Sequence, residues 1–183
     1  GILLLVLLIG AATGFSFLAD YQRARITNFL FPDPDARYGE TYNVDQALIT
    51  IGTGGWIGQG YNQSSQVQLR FLKVRHTDFI FSVLAAEFGF VGALVVTALL
   101  ILVVIRCMKI SQNASDVFGS LIAFGFGFLI FFQTVVNIGV NINVIPVTGL
   151  TLPFVSYGGS SLLSLMLGIG MVESVAMRSS ASP

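Results

Sequence analysis

Between residues 79 and 105 the chain carries a single charged side chain, Glu87, in twenty-seven positions. About twenty apolar residues in a row are what an α-helix needs to cross the hydrocarbon of a bilayer. Within lipid the main chain must satisfy its own polar groups, so such a run is driven to helix. Three further runs read the same way: residues 2–18, residues 117–138 with Gln133 and Asn137 near their end, and residues 154–177 with Glu173. The expected fold class is an all-α polytopic membrane protein, one membrane domain over 1–183 with four transmembrane helices. Composition agrees: charged residues make up 10% of the chain, where a soluble domain carries about a quarter. Nine basic and nine acidic residues cancel, which gives no reason to expect nucleic acid as a partner. One cysteine, Cys107, excludes an internal disulfide framework. The chain opens at Gly1 inside an apolar run, with no basic stretch before it, and so reads as starting within a membrane helix rather than with a signal peptide.

Short loops give the orientation. The connection after the second run carries Arg106 and Lys109, the tail after the fourth carries Arg178, and residues 139–153 carry no charge. Short basic loops stay in the cytoplasm, so residues 19–78 are expected on the extracytoplasmic face of the membrane. The six Lys and Arg residues of that first loop do not oppose this, because a loop of about sixty residues largely escapes the rule.

The first loop has structure of its own. Pro32, Asp33, Pro34 and Asp35 are turn chemistry. Together with Glu40 these carboxylates offer oxygen ligands to a divalent cation, although their spacing matches no known metal loop. Val44, Ala47, Leu48 and Ile51 recur at helical spacing, which predicts an amphipathic interfacial helix over residues 42–51. Glycines 52, 54, 55, 58 and 60 follow, with Trp56 among them. A phosphate-binding loop lacks its strand and its Lys-Ser/Thr here, so a flexible interfacial turn anchored by Trp56 is the expectation. Arg70, Lys73, Arg75 and His76 then cluster before Asp78. They are either solvated charge near headgroups or a site for the phosphates of a lipid-linked substrate. Asp78 stands where this charged loop meets the apolar run. It is either the cap of the next helix or an acid/base group beside lipid that water can still reach.

Polar groups inside the apolar runs are few. A charge at that depth costs on the order of 3 kcal/mol, so Glu87 should face protein or water, or be protonated. Nine residues from Asp78 is about 900° of rotation, which puts Glu87 on the opposite side of a continuous helix. Gln133, Asn137 and Asn141 share an i, i+4 stripe that reads as interhelical hydrogen bonding. Residues 139–153, interrupted by Pro146, Gly149 and Pro153, read as an irregular or re-entrant outer segment. A helix starting after Pro153, with Ser156, Ser160 and Ser161 at its positive end, suggests an anion site for a pyrophosphate. Close helix packing through Gly158, Gly159, Gly168 and Gly170 is the competing account.

Long motifs carry a resemblance. Residues 76–81, Glu87-Phe88-Gly89-Phe90-Val91-Gly92, Pro146 to Gly149, and the run from Leu152-Pro153-Phe154-Val155-Ser156 through Tyr157-Gly158-Gly159-Ser160-Ser161 resemble the SEDS family, the FtsW/RodA/SpoVE group. Tyr21-Gln22-Arg23, Arg25-Ile26 and the glycine segment also fit, so the similarity covers nearly the whole chain. The resemblance implies spans seven to ten of a ten-helix protein, with the large outer loop between the first two of them. It implies a peptidoglycan glycosyltransferase that polymerises lipid II beside a class B penicillin-binding protein, among other division or elongation membrane proteins. It implies that Asp78 is the catalytic base, with the basic residues or a divalent cation such as Mg or Mn offsetting charge on the leaving pyrophosphate. Leu72-Lys73-Val74-Arg75 replaces the Leu-Pro-Glu common before this motif, and Arg70 stands where a glutamate is often found, so those family acids carry nothing over. Two rival readings have their own signatures: a lipid II transporter would depend on Glu87 and Gln133, and a scaffold recruiting a transpeptidase would tolerate loss of either charge.

Overall fold

The computed structural model describes residues 20–31, 40–61, 63 and 78–180, and the described residues contain helices and turns but no strand. The run at 2–18 and the turn chemistry at 32–35 lie outside them. The chain divides into two compact units, residues 1–42 and 43–183. The first includes helix α1, Asp20–Leu30, after which the Phe31 amide donates to the Thr27 carbonyl at 2.8 Å.

The second unit holds nearly all of α2 (Glu40–Gly54), then α3 (Ile80–Gln112), α4 (Val117–Asn141) and α5 (Gly159–Ser180). The last three are long and apolar enough to cross a membrane. Their outward faces are large apolar side chains such as Leu94, Leu99, Leu102, Phe124 and Phe128. In α2 the predicted amphipathic pattern holds for Val44 and Ala47, which are buried, while Leu48 is exposed.

Turn chemistry explains the α3–α4 hairpin. Asp116 is extended, and its carboxylate accepts from the Gly119 amide at 2.8 Å, a cap that answers one of the orphan donors of α4. Lys109 lies in the last turn of α3, where the helix dipole favours a cation. Ser111 and Ser120 cross-link the two helices, each hydroxyl donating to the other's carbonyl at 3.0 and 2.8 Å. Between α4 and α5 the backbone is irregular, with Asn143 and Phe154 at positive φ. That irregularity corrects one expectation: no helix starts at residue 154, because residues 153–156 form a turn and α5 begins at Gly159.

Small side chains let the helices approach. Cys107, Ala123 and Val172 form a buried cluster joining α3, α4 and α5. A Cβ on Gly168 would strike the Phe126 ring, so this glycine packs closely as the small-residue account expects. Gly159 and Gly170 face open space within the chain. At the other end Val44, Ala47, Phe79, Val136 and Val140 bring α2, the start of α3 and the end of α4 together.

Candidate active site

Asp78 is half-buried in a turn just ahead of α3. It is not the cap of that helix: the N-cap residue is Phe79, whose side chain makes no cap bond. The third helical amide, Ser82 N–H, is answered by another helix, donating to Asn141 Oδ1 at 3.0 Å while the Ser82 hydroxyl donates to the same oxygen at 2.6 Å. The Asp78 main chain is held from the same side. Its carbonyl accepts from Asn141 Nδ2 at 2.9 Å and from Asn137 Nδ2 at 3.2 Å. Asn137 also donates to the Leu150 carbonyl at 2.8 Å, tying in the irregular segment. Both asparagines and Ser82 are buried, and so is Phe79. Of the polar stripe expected on α4, Asn137 and Asn141 therefore do bond across elements. Gln133 stands apart, with its Oε1 buried and unpartnered among the described residues.

Deeper in α3 the helix is broken at Gly89, with φ 70° and ψ −171°. In an unbroken helix the amides of Phe90 and Val91 would donate to the carbonyls of Ala86 and Glu87. Here they donate instead to Gly55 and Trp56 at 2.9 and 3.2 Å. The freed carbonyls of Ala86 and Glu87 accept from Gln59 and Gly60 at 2.9 and 3.0 Å. Two helical bonds are thus exchanged for four bonds to the glycine loop, which satisfies all four of those backbone groups at the break. A Cβ on Gly58 or Gly89 would collide with the opposing backbone. This corrects the expectation of a flexible turn, since a loop paired at both of its edges is clasped. Its Gln59 and Gly60 amides are spent on protein and are not aimed at phosphate. Trp56 remains exposed, edge-on to Phe90 at 5.4 Å. Glu87 is buried beside the clasp.

The serines are dispersed around the following turn. Ser156 Oγ accepts from the Leu152 amide at 2.8 Å, which commits it to the turn. Ser161 shares a 3.3 Å hydroxyl contact with Thr151, next in sequence to Leu150. Ser160 is exposed, and its carbonyl accepts from Ser164 at 2.9 Å. Asp78, the end of α4 and the start of α5 are so linked through residues 150–152. Arg70, Lys73, Arg75 and His76 lie outside the described residues, as do Asp33 and Asp35. Among the described residues no three His, Cys, Asp or Glu side chains gather as metal ligands.

Residues 1–181 match the FtsW/RodA/SpoVE family of cell cycle proteins. The chain belongs to that family. Within it, a protein from Escherichia coli named peptidoglycan glycosyltransferase MrdB is 45% identical over 88% of this chain and 43% of its own length. A protein from Hydrogenovibrio crunogenus named probable peptidoglycan glycosyltransferase FtsW is 45% identical over 83% of this chain and 39% of its own. The chain therefore spans less than half the length of these FtsW/RodA/SpoVE relatives. A structure described as structural coordination of polymerization and crosslinking by a peptidoglycan synthase complex superposes on all of this chain and 49% of its own, with a TM-score of 0.75 and 35% identity. A crystal structure of a Thermus thermophilus RodA mutant, a rod shape determining protein, covers 72% of this chain with a TM-score of 0.53 and 39% identity.

Two features of this FtsW/RodA/SpoVE chain escaped sequence reasoning. Asn141 serves the helix start for which Asp78 was one candidate cap, and its partner Ser82 is fifty-nine residues away. The break at Gly89 had a usable signal: a glycine-dense loop and a glycine two residues after Glu87, each needing an approach that only glycine allows.

Proposed function

We propose that this chain is the catalytic C-terminal part of a peptidoglycan glycosyltransferase that polymerises lipid II into glycan strands, with Asp78 as its base. What carries the reading is that Asp78 stands at the mouth of a membrane helix, one residue before its N-cap Phe79, with its main chain held by Asn137 and Asn141 and its side chain half-exposed. The names of relatives at 45% identity supply the reaction class. The loop bearing Asp78 lies on the extracytoplasmic face, opposite the basic α3–α4 connection.

Asp78 takes the proton from the acceptor sugar hydroxyl as that oxygen attacks the donor's anomeric carbon. The new C–O bond forms as the bond to the pyrophosphate breaks, and undecaprenyl pyrophosphate leaves with the electron pair. Attack opposite to departure inverts the anomeric centre. Arg70, Lys73, Arg75 and His76 face the phosphates in this scheme, and Ser160 and Ser161 lie at the start of α5 where its dipole favours an anion. A cation, if the parent uses one, would draw on loop carboxylates outside the described residues, and no step here depends on it. The partner is a crosslinking enzyme of the class B penicillin-binding type, the kind of assembly named for the peptidoglycan synthase complex.

The test uses the full-length parent with its cognate transpeptidase and labelled lipid II. Wild type should yield glycan chains and Asp78→Asn none, with folding and complex formation unchanged. Equal polymer from both removes Asp78 from the mechanism, and none from either moves transport or scaffolding to the front.

A further inference from the structure

We infer that Asn137 and Asn141 are positioning residues for Asp78, holding the base through its own main-chain carbonyl rather than merely gluing helices together. The inference rests on the reading of Asp78 as the base. An aspartate before a helix ordinarily turns its carboxylate onto the amides of the first turn, which hides the oxygens a base needs. Asn141 removes that demand, because its Oδ1 takes both the amide and the hydroxyl of Ser82. Its amino group then reaches the Asp78 carbonyl at 2.9 Å, and Asn137 adds a second donor at 3.2 Å. One side chain thus answers a first-turn amide and holds the residue two places before the helix.

Burial makes the device stiff. Asn137 is 1% exposed and Asn141 0%, so no water competes for these bonds. Asn141 Nδ2 also donates to the Asn137 carbonyl at 2.9 Å, which fixes the orientation of its amide. Phe79, 2% exposed in the cluster with Val136 and Val140, pins the next residue against α4. Asp78 is therefore gripped along its main chain while its side chain stays half-exposed. The remaining Asn137 bond, to Leu150, sets the irregular segment at a fixed distance from the base. Bundle glue alone would need none of these bonds to converge on Asp78.

Misplacing a reacting group by about 1 Å costs on the order of a hundredfold in rate. In the full-length parent with its transpeptidase, Asn141→Leu and Asn137→Leu keep the branching of the side chain, in a somewhat larger volume, and remove the donors. Lipid II polymerisation should show kcat falling roughly tenfold to a hundredfold with KM unchanged. Hydrogen–deuterium exchange should quicken at residues 79–83 and stay as in wild type across α5. An unchanged kcat, or a loss shared by KM and by exchange throughout the bundle, overturns the inference. If Asn141→Leu does not fold, Asn137→Leu decides alone, because it removes the second donor and leaves the Ser82 cap in place. If the wild-type parent makes no polymer, the reading of Asp78 as base has failed, and the local exchange still decides whether the amides hold this residue.

Discussion

At the scale of single residues, glycine and asparagine do the structural work that the apolar side chains cannot. Gly89 sits at a positive φ with extended ψ, a conformation essentially confined to glycine. Gly58, at φ 87°, faces it across the clasp. Gly89→Ala and Gly58→Ala should each destabilise the parent by about 1–3 kcal/mol from backbone strain alone, with backbone collision adding to it. Gly52 lies in α2 with nothing near its missing Cβ, so Gly52→Ala should be neutral or slightly stabilising. Thermal unfolding of the three variants in detergent checks the contrast, and equal melting temperatures would remove the clasp from the account. Asn141 makes a related point. A polar residue inside an apolar run announces that it has a partner, and only the fold says which.

At the scale of elements, each helix ends for a stated reason. The α3–α4 hairpin relies on the Asp116 cap and on the reciprocal Ser111–Ser120 pair. Asp116→Ala should cost about 1 kcal/mol of stability, and Asp116→Asn much less, since asparagine still offers the accepting oxygen. A urea or thermal titration that ranks the two alike would contradict the cap. What was legible in the sequence follows from the same physics. The long runs that became α3, α4 and α5 were plain because lipid leaves helix as the main option. The start of α5 was not, because residues 154–158 are as apolar as a helix interior and yet turn. Apolarity reports the surrounding solvent, while backbone shape depends on bonds such as Leu152 to Ser156 that hydropathy does not encode. The same limit hid the Gly89 break, because glycine in a membrane run also serves close packing, as Gly168 does against Phe126.

At the scale of the whole molecule, the orientation proposed for the bundle makes a topological prediction. With Cys107 buried and replaced by serine, single cysteines at Tyr157 and at Asn113 report the two ends of the α3–α5 group. In intact cells a membrane-impermeant thiol reagent should label Tyr157→Cys and spare Asn113→Cys until the membrane is opened. The reverse pattern would invert the protein and remove Asp78 from the compartment where glycan strands are assembled. The apolar flanks of α3 and α4 are wide, as expected of spans that meet lipid or neighbouring helices rather than water.

The clasp has a mechanical counterpart at the mouth of α3. Gly60 is fixed to the Glu87 carbonyl, and Asp78 is fixed to α4, both at α3. From Ile80, its first residue, to Glu87 the helix rises about 10 Å. The outer turns of α3 are therefore held twice over that length, by α4 at the mouth of the helix and by the glycine loop at its break. A beam on two bearings cannot pivot, so releasing either anchor would leave these turns to swing about the other.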